Sequence, residues 1–225
     1  MTDYYRKVLH QMKTLERFSS RKECLHEKLT GHCYAVTELS EYYLAKYCLN
    51  LDAETAKNIA QNHDIGEYLT GDVDAGKVVH GLISVKEKER LEHEAWKELK
   101  LILPLSLYKT KHNYWLMFEE QKTKEAKFVK TVDALETMLF MAETGVEGFE
   151  KKKENDCGMD EKDYELSITY CDKKMQKFLE AMKEIKDNSG NLKGYLGELT
   201  AVKLRLKKIY EEVGAVWKKE YDYAL

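Results

Sequence analysis

The stretch His63-Asp64-Ile65-Gly66-Glu67-Tyr68-Leu69-Thr70-Gly71-Asp72 decides how this chain is read. An adjacent His-Asp pair offers one imidazole and one carboxylate to a single divalent metal, a mix that suits Mn, Co, Fe or Zn more than Ca. Glu67 follows His63 at i+4, which on a helix sets it on the same face one turn along, near the metal without being a ligand. Gly71 ends that helix and leaves Asp72 at its lip. A solvated helix end with a stray histidine reads the same way, so the remaining ligands must be sought elsewhere.

Outward toward the N-terminus, Asp52 is the N-cap of a helix expected to run to about Leu69 and to end in the motif, with Glu54 and Thr55 in its first turn. Before it, Thr30-Gly31-His32-Cys33 opens a helix whose inner side carries Val36, Leu39, Tyr43 and Leu44, with His32 in the first turn. Two consecutive helices can thereby bring His32 to His63 and Asp64. Still earlier, an apolar stripe of Tyr5, Val8, Leu9, Met12 and Leu15 predicts a helix leading to Arg17-Phe18-Ser19-Ser20-Arg21. That segment suits an oxyanion or is an ordinary polar turn.

Toward the C-terminus, Val73 to Lys77 reads as a loop and a charged helix follows from about Ser84 to Leu99. Pro104 predicts a break at Leu103. Trp115 to Met141 reads as a helix pair or one broken helix, and within it Asp133 lies between Val132 and Ala134. A carboxylate among apolar neighbours must be paired or metal-bound, because a bare buried charge is costly. Asp133 is therefore the candidate fourth ligand. Two more helices, about Asp160 to Lys186 and Leu192 to Tyr210, flank the turn Asp187-Asn188-Ser189-Gly190-Asn191. The stretch from Gly145 to Gly158, rich in Lys, Glu and Asn, is the candidate mobile connection. No repeat and no convincing strand alternation is found.

With 225 residues, 34% of them charged, and Pro104 the single proline, the chain suits long helices and one sizeable domain with an appendage. Net charge is only -3, and acids and bases are interspersed, which speaks against a nucleic-acid polymer as partner. The start Met-Thr-Asp-Tyr-Tyr-Arg has no apolar h-region and no run is long enough to span a bilayer, so a cytoplasmic protein with no membrane partner is expected. Cys24, Cys33, Cys48, Cys157 and Cys171 are odd in number and form no CxxC, the pattern of reduced thiols.

His32, the pair His63-Asp64 and Asp133 stand in the order H…HD…D, which resembles the HD-domain metal-dependent phosphohydrolases. HDIGEYLTGD, the earlier Arg17-Phe18 and the late VKTVDALE are similar to the bacterial 5′-deoxynucleotidase branch, over about residues 10 to 145. The resemblance implies an all-α HD-domain helical bundle with additional C-terminal helices: a phosphohydrolase core at 1–145, and a helical extension at 146–225 packing on the core or on a partner subunit. It implies one divalent metal, cobalt, manganese or similar, on His32, His63, Asp64 and Asp133. It assigns acid or base work to Glu67, a second carboxylate near phosphate and sugar to Asp72, and the phosphate to Arg17. Phe18 stands where that family carries a tryptophan beside the deoxyribose, and an aromatic face there favours a sugar lacking the 2′-hydroxyl. Thr70 joins the substrate side, and Lys77 corresponds to a loop lysine that reaches the phosphate, although the usual prolines are missing.

The family commonly has Glu-His-Ser at the first histidine, where this chain has Gly31-His32-Cys33. The change removes a carboxylate able to support the ligand, and Cys33 replaces a hydroxyl by a weaker hydrogen-bonding thiol. The expected activity is removal of the 5′-phosphate from deoxyribonucleoside 5′-monophosphates, by a homodimer. Two alternatives stay open: a deoxynucleoside triphosphohydrolase releasing triphosphate, and an inactive HD-fold nucleotide-binding module.

Overall fold

Asp52 and Ser84 start the helices expected of them. The Asp52 carboxylate accepts from Thr55 N at 2.6 Å, and the Ser84 hydroxyl accepts from Glu87 N at 3.1 Å, each satisfying a donor that a helix start leaves open. The computed structural model describes residues 3–17, 27–47, 49–71, 82–155, 161–184, 190–212 and 214. In chain order the elements are α1 (Asp3–Thr14), β1 (Glu16–Arg17), β2 (Glu27–Lys28), α2 (Leu29–Tyr47), α3 (Ala53–Asn62), α4 (Glu67–Thr70), α5 (Val85–Ile102), α6 (Leu105–Glu120), α7 (Lys124–Asn155), α8 (Glu161–Glu184) and α9 (Gly190–Glu212). The fold is all-α, as the sequence led one to expect. Among the described residues no helix is long and apolar enough to cross a membrane.

The break at Pro104 is present, with Leu103 extended at φ -84°, ψ 144°. The region from Trp115 to Met141 is a helix pair, parted at Gln121, whose left-handed φ of 49° closes α6. Gly71 ends α4 at φ 70°, a conformation a side chain would resist.

Three expectations need correction. The helix from Asp52 does not continue to Leu69: α3 stops at Asn62, residues 63–66 form turns in which Ile65 N donates to Asn62 O and Glu67 N to Asp64 O, and Glu67 opens the short α4. Residues 145–155 are the last turns of α7, not a loop, since Lys and Glu are good helix formers and Gly145 and Gly148 cost about 1 kcal/mol each. A short antiparallel pairing, Glu16 with Lys28 and Arg17 with Glu27, was not expected, because two residues are too few to show a period of two.

α7 is the spine. It packs on α2, α3 and α6 as well as on α8 and α9, and Val36, Ile59, Phe118, Phe128, Leu135, Phe178 and Tyr195 are buried in one core. A second cluster, with Val8, Ile65, Tyr68, Trp96, Leu99 and Trp115, joins α1, α4, α5 and α6. The His63-Asp64-Ile65 turn runs from the first to the second, with the His63 ring 4.9 Å from that of Phe118.

Two glycines of α9 should respond oppositely to alanine. A Cβ on Gly194 would strike the Tyr47 ring, which is held by Tyr43, Tyr195 and its hydrogen bond to Glu198. On Gly197 a Cβ meets nothing within 4 Å. Gly197→Ala is expected to gain up to about 1 kcal/mol from helix propensity. Gly194→Ala should lose about 1 to 2 kcal/mol net as overpacking outweighs that gain, and urea melts of both variants check the sign.

Candidate metal centre

α2 carries His32 in its first turn, His63 caps the end of α3, Asp64 follows in the turn, and α7 supplies Asp133. Their ligand atoms converge. His32 Nε2 lies 3.3 Å from His63 Nε2, 3.5 Å from Asp64 Oδ2 and 3.3 Å from Asp133 Oδ1, and His63 Nε2 is 3.1 Å from Asp64 Oδ2. Ligands bound to one first-row ion at about 2.0 to 2.2 Å are about 3.3 to 3.6 Å apart when tetrahedral and about 2.8 to 3.1 Å when cis-octahedral. The four observed spacings lie within that range and each includes a histidine Nε2: His32, His63 and Asp133 form one close cluster, and Asp64 adjoins it through both histidines, a set that fits a divalent ion.

The ring tautomers fit as well. His63 Nδ1 donates to the carbonyl of Ala60 at 2.7 Å, and a carbonyl only accepts, so Nε2 carries the lone pair when the ring is neutral. His32 Nδ1 donates to Glu136 Oε2 at 2.5 Å, leaving its Nε2 turned to the same point. A carboxylate or carbonyl behind each imidazole is the arrangement that orients a metal-binding histidine and raises its basicity.

Electrostatics supplies the two carboxylates in the charge state a metal requires, but not His32. Burial alone would raise both aspartates, but His63 and His32 hold Asp64 below the ordinary carboxylate range, and Lys130 with the same histidines does so for Asp133. For His32, burial and the Arg17 charge oppose protonation, yet its hydrogen bonds to Asp133 and Glu136 push it up to about 10. The metal-free protein therefore keeps a proton on His32 that a metal must displace. Loading at pH 8 should release about one proton, and metal affinity should rise with pH up to about 10. Calorimetric titration in buffers of different ionisation enthalpy measures this release.

Glu67 is buried at the start of α4, its Oε1 3.9 Å from Lys88 Nζ. Among the described residues it does not join the clusters whose ligand atoms lie within 4.8 Å of one another, which are His32-His63-Asp133, Cys33-His63-Asp64 and Glu27-His32-Glu136. Burial, followed by the Asp64 and Glu67 charges, pushes the Cys33 thiol well up, so it stays protonated. Thr70 is half-buried, and its hydroxyl donates to Gly71 O at 2.9 Å. Phe18, Asp72 and Lys77 lie outside the described residues, as do Ser19 to Arg21.

The sequence reading missed three residues. Glu136 lies inside VKTVDALE, and its i+3 spacing from Asp133 was the available signal. It supplies from α7 the carboxylate that Gly31 lacks. Lys130 Nζ is 3.3 Å from Asp133 Oδ2, and Lys88 Nζ lies between Glu67 and Glu92, at 3.9 and 3.6 Å, under the charge of Asp64. Arg17 is brought to the rear of the site, where it is buried against Glu27 and Glu136.

Known proteins resemble this chain in sequence and in fold. A family model described as HD domain matches residues 9–185. The 5′-deoxynucleotidase HDDC2 of Bos taurus is 32% identical over 117 residues, 52% of this chain and 54% of that protein. The chain spans about half the length of the curated relatives it matches first. Among solved structures, a predicted metal-dependent phosphohydrolase of Magnetospirillum magnetotacticum aligns with a TM-score of 0.56 at 19% identity, covering 80% of this chain and 88% of that one. The Cyanophage S-2L HD phosphohydrolase DatZ, bound to dA and one catalytic Zn2+ ion, gives 0.50 at 16% identity, covering 94% and 98%. The structural likenesses speak for the fold, and the family model, matched over most of the chain on the residues that converge here, places it: the chain belongs to the HD domain family.

Proposed function

We propose that the protein is a metal-dependent phosphohydrolase that removes the 5′-phosphate from deoxyribonucleoside 5′-monophosphates, acting in the cytoplasm as a homodimer. The observation that carries this reading is the convergence of His32, His63, Asp64 and Asp133 with both Nε2 atoms turned to one point. The relatives named 5′-deoxynucleotidase support the choice of substrate. Those four residues hold cobalt, manganese or a similar divalent ion, which when bound supplies Lewis acidity toward water and a phosphoryl oxygen. Residues 1–145 are the phosphohydrolase core of this proposal and 146–225 a helical extension that packs on the core or on a partner subunit; within it α8 and α9 pack on α7.

Hydrolysis breaks the bond between phosphorus and the 5′ oxygen and forms one to the oxygen of water. A proton must leave that water and one must reach the 5′ oxygen. Glu67 is the carboxylate placed for this transfer. Lys130 and Lys88, beside Asp133 and Glu67, set positive charge against the phosphoryl oxygens. Arg17, Thr70, Asp72, Phe18 and Lys77 belong to the substrate side of this proposal, Arg17 toward the phosphate and Phe18 against the deoxyribose.

A panel of ribo- and deoxyribonucleoside mono-, di- and triphosphates with several divalent metals tests the reading. Inorganic phosphate released from deoxyribonucleoside monophosphates is the expected product. Release of triphosphate would transfer the site to the triphosphohydrolase alternative, and no turnover with any metal would leave a binding module.

A further inference from the structure

We infer that Arg17, beside the phosphate role proposed for it, is a positioning residue for the metal centre: with Glu27 and Glu136 it holds the imidazole of His32. Its Nη1 donates to Glu27 Oε2 at 2.5 Å and to Glu136 Oε2 at 3.4 Å, and Nη2 to Thr137 Oγ1 at 3.4 Å. The same Glu136 Oε2 accepts from His32 Nδ1. One carboxylate oxygen thus receives the arginine's charge on one side and the ligand's N–H on the other.

The chain builds this clamp locally. Arg17 and Glu27 are directly opposed across β1 and β2, so their side chains emerge on one face of the ladder. β2 runs straight into α2, and His32 follows Glu27 by five residues. The ion pair therefore sits at the foot of the helix that presents the ligand. Burial and the neighbouring Glu136 charge push Glu27 up to about 7, while the Arg17 charge acts to lower it, so the guanidinium is the cation that holds the two carboxyl groups together.

This inference rests on the metal-centre reading but not on the identity of the substrate, so the test reads metal and not turnover. Metal affinity is measured by competition with a chromophoric chelator, without nucleotide, on wild type, Glu136→Gln, Arg17→Gln and the double variant. Inorganic phosphate affinity is then measured on the metal-loaded proteins. Each single change is expected to weaken metal binding about 10- to 100-fold, the range for a residue that orients a ligand. The double variant should match Glu136→Gln within about twofold, because Arg17 acts through Glu136. Arg17→Gln that binds metal like wild type would overturn the inference, whatever its phosphate affinity.

If Arg17→Gln does not fold, Arg17→Lys keeps the charge while losing the fork, and metal affinity between those of wild type and Glu136→Gln is expected of it. Unchanged metal affinity in that variant counts against the proposal. Independently, the Nδ1 proton of His32 should give a slowly exchanging downfield resonance in wild type that moves in Arg17→Lys. A wild type that binds no metal at all would instead remove the metal-centre reading itself.

Discussion

Asp64→Ala is expected to arrive without metal and with turnover at background, although its fold is retained. Asp64 Oδ2 is 3.1 Å from His63 Nε2 and 3.5 Å from His32 Nε2, so its removal takes away one of four converging donors and an anionic charge that offsets the cation. Two neutral imidazoles and Asp133 are left, a set with one negative charge, and metal affinity depends steeply on deprotonated, anionic ligands. The helices do not depend on this side chain, since Asp64 sits in a turn and is not in the buried apolar core. Elemental analysis together with far-UV circular dichroism measures both halves. Stoichiometric metal in Asp64→Ala would remove the aspartate from the ligand set.

Glu67→Gln should show the complementary pattern: metal bound and fold kept, with turnover lower by about 10²- to 10⁴-fold, the loss typical when general acid or base help disappears. Glutamine fits the buried space of the glutamate, and Lys88, which loses an anionic partner at 3.9 Å, keeps Glu92 at 3.6 Å. The change therefore removes proton transfer with little else. Glu67→Ala should lose as much turnover but also some stability, because it opens space beside Tyr68 and Lys88. Metal content and rate are measured on the same preparations. A metal-free Glu67→Gln would make the glutamate a ligand, and a normal rate would move the proton transfer to another group, with Asp72 next.

These two variants separate roles that adjacent residues of one motif hold for different reasons. Asp64 reaches the ligand cluster directly from the turn after α3. Glu67 is carried past it by three residues of turn and stands instead against α5, where Lys88 meets it. An unbroken helix from Asp52 to Leu69 would have stacked Glu67 over His63. The break at Asn62 sets them on separate elements and leaves Glu67 to be oriented by its own helix and by Lys88.

Residue types and local order were enough to point to the candidate ligands and to find the class of fold. His32, His63, Asp64 and Asp133 are legible because a metal needs imidazole and carboxylate donors, and because the helices that carry them show their apolar faces, caps and breaks at Asp52, Ser84, Pro104 and Gly71 in the sequence. What surrounds those ligands was not legible. Glu136 meets His32 across 104 residues, and Arg17 meets Glu136 across 119; no local pattern marks such a pair, since a glutamate at i+3 from an aspartate is also an ordinary solvated helix face. Only the packing of α2 against α7, with the β1–β2 pairing at the foot of α2, turned Glu136 inward and drew Arg17 to it. A ligand is selected by its own chemistry, which the sequence displays, whereas a supporting group is selected by the position of another residue, which exists only once the helices have packed.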